Sequence, residues 1–199
     1  MSTREQRNQE LYDDESWKTV CFLGLDGSGK SSIVWSLRGE NELENRPRTF
    51  GVNMLSIDGL NLNIIDCSGL RVFRKVLWPQ VIRLSDLVVF VIDASAREKV
   101  EEAREALDII YDYLGYRPIL FLSSKNDKVN TMSPETIIKK LKLKDLKNRW
   151  LLTPVSVVKK INLRLMEFVL KYATFKAATS MFTQPEDREV YFLKPFIFN

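Results

Sequence analysis

The 199-residue sequence predicts an α/β chain with an open, mostly parallel, six-stranded sheet that carries helices on both faces. Three observations predict it. Short continuous apolar runs at Val20–Leu23, Leu87–Ile92 and Ile119–Leu122 read as strands buried on both faces, the pattern of a parallel sheet. Segments with apolar residues at helical spacing lie between and after these runs. Finally, Val52–Ile57 and Leu60–Ile65 flank Asp58-Gly59, a strong hairpin signal that makes one pair of strands antiparallel.

In chain order, Val20–Leu23 leads into the loop GLDGSGKSS and then into the helical segment SSIVWSLR. The hairpin follows, and then the strand Leu87–Ile92. Val100, Ala103, Leu107, Ile110 and Leu114 give the next helix one apolar face. After the strand Ile119–Leu122, Ser133-Pro134-Glu135 supplies an N-cap, a first-turn proline and a dipole-matched acid for another helix. Trp150–Leu152 is the last strand, and Ile161, Leu165, Phe168, Val169 and Tyr172 form a final helical stripe. An order of strand, loop and helix implies a doubly wound sheet, whose ligand sites lie beyond the carboxyl ends of the strands. No internal repeat or low-complexity segment interrupts it.

Composition removes several function classes. A length of 199 residues with 45% hydrophobic content suits one domain with tails. The net charge of +4, with no nucleic-acid-reading motif, does not point to DNA or RNA. A basic run at Lys139, Lys140, Lys142, Lys144, Lys147 and Arg149 reads as a solvated face, or else as a contact for an acidic partner or anionic membrane. Histidine is absent, which excludes Ser-His and Cys-His hydrolase chemistry. Cys21 and Cys67 sit in or at the end of apolar runs without metal-ligand spacing, and read as reduced structural thiols. With no signal peptide in the first sixteen residues and no spanning run, the expected compartment is reducing and cytoplasmic.

Gly24 to Ser31 fits G-x-x-x-x-G-K-[ST] between a buried strand and a helix. Gly24, Gly27 and Gly29 let successive N–H groups converge where the helix N-terminus adds its positive dipole end, which is a cradle for phosphate. Lys30 would reach the outer phosphates, and the Ser31 hydroxyl is placed to ligate Mg²⁺. Ser124-Lys125-Asn126-Asp127 and Thr153-Pro154-Val155-Ser156-Val157 each follow an apolar strand. A carboxylate there can accept from N1–H and N2–H₂ of guanine, a donor pair that adenine lacks.

With these motifs the chain resembles the small GTPases, and within them the Arf/Arl/Sar branch. The resemblance covers about Trp17 to Phe175. It rests on GLDGSGKSS, on Thr49-Phe50-Gly51-Val52-Asn53 for T-x-G-x-N and on Asp66-Cys67-Ser68-Gly69 for D-x-x-G. Leu77-Trp78, the SKND string, Ser156-Val157 and Asp26 add to it. The resemblance implies a P-loop NTPase fold in residues 17–178, after a polar tail at 1–16 and before an aromatic-rich extension at 179–199.

It further implies that GTP or GDP contacts Asp26, Gly27, Ser28, Gly29, Lys30, Ser31 and Ser32. Thr49 would ligate Mg²⁺ with Ser31 and sense the γ-phosphate, Asp66 would hold the ion through water, and the Gly69 N–H would bond the γ-phosphate. Asp127 would read guanine beside Ser124, Lys125 would cover the base and ribose, and the loop at Ser156 would present the Val157 N–H to the guanine carbonyl. The partners implied are protein effectors and exchange or activating factors.

Three departures stand out. Leu70 occupies the family's glutamine position, and leucine cannot orient water, so no catalytic residue is assigned and intrinsic hydrolysis is expected to be very slow. Ser124 replaces the asparagine of N-K-x-D, so a bond from base loop to phosphate loop is either lost or remade by the shorter hydroxyl. Ser2 cannot be N-myristoylated and KPFIFN carries no prenylation cysteine, so any expected membrane contact is peripheral. The aromatic tail Val190–Phe198 is expected to dock on its own domain, a partner or a membrane interface. The function then expected is a GTP/GDP switch. The alternatives are a non-cycling scaffold with nucleotide as structural ligand and, keeping only the phosphate loop, a small ATP-dependent enzyme.

Overall fold

A computed structural model describes residues 17–40 and 47–160. The helical stripe Ile161–Tyr172, the tail at 1–16 and the extension at 179–199 lie outside the described residues. Six strands form one sheet: β1 (Lys18–Leu23), β2 (Val52–Ile57), β3 (Leu62–Cys67), β4 (Leu87–Asp93), β5 (Ile119–Ser124) and β6 (Trp150–Pro154). Their order is β2-β3-β1-β4-β5-β6. Only β2 and β3 pair antiparallel; every other pair is parallel. The described helices are α1 (Lys30–Leu37), α2 (Arg71–Arg83), α3 (Val100–Leu114) and α4 (Pro134–Lys140).

The continuous apolar runs behave as two-sided strands. Val20 and Phe22 join Val89, Leu120 and Leu122 beneath α1, while Cys21 and Leu23 join Phe90, Phe121 and Leu107 on the opposite face. All are fully buried, because a period of two sends alternate side chains to opposite sides while helices cover both. Trp78, Phe90, Phe121 and Trp150 run edge-to-face across that second layer at centroid spacings of 6.2–6.3 Å.

Local signals place several ends. The Ser133 hydroxyl accepts from the Thr136 N–H at the start of α4, as the capping pattern predicts. The basic run from Lys139 to Arg149 is exposed at its charged positions. The hairpin is present, but its connection is longer than a two-residue Asp58-Gly59 turn. Asp58–Leu60 forms a 3₁₀ turn, Asn61 takes the left-handed conformation at φ 50°, and β3 starts at Leu62 rather than Leu60. The Ile57–Leu62 register explains the shift, since pairing these residues buries Leu62 and leaves four residues to close the turn.

Helix α2 is an element that the sequence reading did not include. Pro79 lies inside it, which argues against a helix on local grounds. Burial of Trp78, Pro79, Val81 and Ile82 on the sheet holds it nonetheless. Because five of the six strands run in one direction, the loops after β1, β3, β4, β5 and β6 gather along one edge of the sheet.

Candidate functional site

The loop after β1 is shaped by close backbone approaches. Gly24 sits at φ 136°, and a Cβ there would lie 2.3 Å from the Val91 carbonyl oxygen. Gly29, at φ 92°, is the N-cap of α1 and offers no capping side chain, so the first-turn N–H groups face outward from the helix end. Gly69 closes the other side: a Cβ on it would lie 2.4 Å from the Gly24 oxygen and 2.5 Å from the Asp26 nitrogen. The D-x-x-G segment therefore presses directly on the glycine-rich loop.

Lys30 is buried at the base of this loop and donates to the Gly24 and Leu25 carbonyls at 3.0 and 2.8 Å. Burial pulls its pKa from 10.5 to about 8, against the attraction of Asp66 and Asp26. The folded chain thus binds fewer protons than the unfolded chain between about pH 8 and 10.5, so stability rises with pH across that window and the penalty is complete below it. An anion placed beside Lys30 restores its proton affinity. Seating a triphosphate beside Lys30 near pH 8.5 should therefore take up protons, measured by calorimetry in buffers of different ionisation enthalpy, and Lys30→Met should abolish the buffer dependence.

Three residues far apart in sequence meet at the head of α1. The Ser31 Oγ donates to Asp66 Oδ2 at 2.6 Å and lies 2.8 Å from the Thr49 Oγ1, which is 3.1 Å from the same carboxylate oxygen. Asp66 is buried, and burial raises its pKa, opposed by the Ser31 bond and by Lys30. Its second oxygen, Oδ1, is buried and has no hydrogen-bond partner among the described residues. Among the described residues no cluster of three or more acidic, histidine or cysteine side chains forms a metal site. Thr49 is tied in further by its neighbours: the Ser68 N–H donates to the Gly51 carbonyl at 2.8 Å, and Phe50 meets Phe73 edge-on at 4.8 Å.

At the other end, the Ser124 hydroxyl lies 2.6 Å from the Ser28 carbonyl and 3.1 Å from that of Ile92. One O–H donates to one of them at a time, so the link between the two loops is remade by the shorter side chain. Ser28 and Ser124 are buried, and the Ser28 Oγ has no partner among the described residues. Ser124→Ala should lower stability by about 1 kcal/mol and speed nucleotide release about fivefold, read from melting and stopped-flow release.

Lys125, held at φ 57°, donates to the Gly27 carbonyl at 2.7 Å and pairs with Asp93 at 2.6 Å. Burial opposes the charge on Asp93, but bonds from Lys125 and Ser95 outweigh it and hold the carboxyl below its usual range. The Asn126 amide bonds the Ser123 and Val155 carbonyls and so joins the loops after β5 and β6. The Ser156 hydroxyl donates to Asp127 at 2.5 Å and keeps that carboxyl below its usual pKa, hence ionised at neutral pH.

The structure thus gathers Asp26 to Ser32, Thr49, Asp66, Gly69, Ser124, Lys125, Asp127 and Ser156 along one edge. Ser32 is half-buried on the first turn of α1, and Val157 follows Ser156 partly packed on the α1-side core. Leu70 is the N-cap of α2, with its N–H 3.4 Å from the Ser68 hydroxyl. Sequence reasoning missed Asp93, Arg48 and Arg74. Asp93 had a signal, as an acid ending an apolar strand. Arg74 had none: it is buried, donates to the Gly69 carbonyl at 2.9 Å and pairs with Glu102 of α3 at 2.8 Å.

Comparison with known proteins gives a consistent picture. A model of the ADP-ribosylation factor family matches residues 6–172. ADP-ribosylation factor J of Dictyostelium discoideum is 30% identical over 154 residues, covering 75% of this chain and 81% of that protein. The ADP-ribosylation factor-like protein alp41 of Schizosaccharomyces pombe is 30% identical over 163 residues, covering 79% and 86%. The small COPII coat GTPase SAR1 of Giardia intestinalis is 30% identical over 131 residues, covering 64% and 68%.

Proposed function

The chain belongs to the ADP-ribosylation factor family, and from that premise we propose that it is a guanine-nucleotide switch with slow intrinsic GTP hydrolysis. The observation that carries this reading is the meeting of Ser31, Thr49 and Asp66 beside the Gly24–Ser31 loop, because it joins the phosphate end of the site to the segment ahead of β2, outside the helices and strands. In this reading Lys30 and the N–H groups of the loop bind the phosphates, and Asp127 selects guanine. Thr49 and the Gly69 N–H respond to the third phosphate, and the β2–β3 hairpin between them carries the response to protein effectors.

The donor set fits Mg²⁺. One carboxylate and two hydroxyls are hard oxygen ligands, few enough for an ion that keeps several waters, and the unpartnered Asp66 Oδ1 leaves capacity for one of those waters. When bound, the ion would neutralise charge between the outer phosphates. Ser31 and Thr49 would hold it directly, and Asp66 would hold it through water. Leu70 brings no group that can orient an attacking water, which is why the chain's own turnover is expected to be slow.

Leu70 also favours a second reading, a scaffold that keeps nucleotide as a structural ligand. Chromatography of the nucleotide released from purified, denatured protein tests the first claim, and competition by GTP, GDP and ATP tests the base. Guanosine phosphates should be found and ATP should not compete; preference for ATP would overturn both readings. Identical protease-cleavage patterns with GTP and GDP would overturn the switch and leave the scaffold. No helix among the described residues is long and apolar enough to cross a membrane.

A further inference from the structure

Arg48 immediately precedes Thr49, whose hydroxyl lies 2.8 Å from Ser31 at the head of α1. Its Nη1 is 2.9 Å from Asp26 Oδ2, so the chain places a guanidinium against the glycine-rich loop itself. The side chains are 80% and 34% exposed, and an ion pair so open to water is weak enough to be exchanged for a stronger anion. Asp26 also favours the charged form of Lys30, which is buried at the base of the same loop. Meanwhile Leu70, at the position from which a side chain would steer water, has no polar side-chain atom.

Charge spread over a transferring phosphoryl group is well matched by a guanidinium, which stays protonated and presents a planar fork of donors. We propose that Arg48 is a catalytic arginine supplied by the chain itself, which leaves Asp26 for the γ-phosphoryl oxygens of bound GTP and stabilises them as the γ-phosphorus departs. The proposal rests on the guanine-nucleotide reading above. The water oxygen bonds to the γ-phosphorus, and the bond from that phosphorus to the β–γ bridging oxygen breaks. Its electron pair stays on GDP, and the water's proton ends on the released phosphate. Arg48 neither gains nor loses a proton. Asp26 is the resting partner that keeps the cation near its task.

The test uses the full chain, with Arg48→Ala and Arg48→Lys beside the wild type. Each protein is assayed for GTP retention, single-turnover hydrolysis, and formation of a stable complex with GDP and aluminium fluoride, a mimic of the flying phosphoryl group. Arg48→Ala should retain GTP within about threefold yet hydrolyse it about a hundredfold more slowly, and should lose the aluminium fluoride complex. Arg48→Lys can keep the ion pair with Asp26 but not the planar fork, so it should fail in both respects as well. Wild-type turnover in either variant, an undiminished aluminium fluoride complex in Arg48→Ala, or a wild type with no hydrolysis above solvent background would overturn the proposal. Failure of the wild type to retain GTP at all would instead sink the guanine-nucleotide reading on which it rests.

Discussion

Asp127→Asn should weaken GTP and GDP binding about a thousandfold and turn the preference toward xanthosine nucleotides. The Ser156 hydroxyl at 2.5 Å keeps the Asp127 carboxyl below its usual range, and in the proposed function this ionised carboxylate is a pure acceptor for the two donors on the guanine edge. An asparagine amide puts a donor against one of them. Two charge-assisted hydrogen bonds are then replaced by one neutral bond and one mismatch, a loss of roughly 4 kcal/mol. Xanthine carries an oxygen where guanine carries its amino group, so the same amide donor becomes favourable. Displacement titrations with guanosine, xanthosine and adenosine diphosphates read the change directly. Guanine affinity within tenfold of wild type would mean that the base is read elsewhere.

The second large effect is steric. Gly69→Ala places a methyl 2.4 Å from the Gly24 oxygen and the Leu25 carbonyl carbon and 2.5 Å from the Asp26 nitrogen. All three are backbone atoms of the loop after β1 and cannot turn aside as a side chain could. Gly69 has no left-handed backbone to lose, so the whole cost is overpacking, about 3 kcal/mol. For a chain of this length that corresponds to a melting temperature lower by roughly 6–12 °C. Nucleotide release should accelerate as well, because the displaced loop carries Lys30 and its N–H groups. Gly59→Ala is the control: nothing lies within 4 Å of its added Cβ and its φ is not left-handed, so melting should be unchanged. Equal melting and release in Gly69→Ala and wild type would show that the two loops separate easily.

These two residues also mark different degrees of legibility. Gly69 and the loop residues Gly24 to Ser31 belong to short strings whose order along the chain already points to phosphate. The sheet was legible for the same kind of reason: a run such as Leu87–Ile92 is apolar throughout because both its faces are covered. The Asp58-Gly59 pair announced the hairpin but not its closure, since the register that pairs Ile57 with Leu62 is set by burial rather than by the turn. Helix α2 was hidden by Pro79, whose local cost is overridden by packing of Trp78 and Ile82.

The site's supporting contacts were not legible. Asp93 pairs with Lys125 across 32 positions, Ser124 reaches Ser28 across 96, and Arg48 reaches Asp26 across 22. Such pairs leave no period, cap or turn signature, because their spacing is a property of which strands become neighbours. The sequence by itself determined where the strands and the helices other than α2 lie and which loops carry the glycine and polar strings of the proposed site, since those depend on local periodicity and on glycines that only certain backbones need. Only the tertiary structure decided that Thr49 and Asp66 meet Ser31, that Gly69 lies against Gly24, and that Ser124 restores the link expected of a longer residue. Strand order set those distances, and strand order is fixed by the joint burial of two sheet faces rather than by any single stretch of chain.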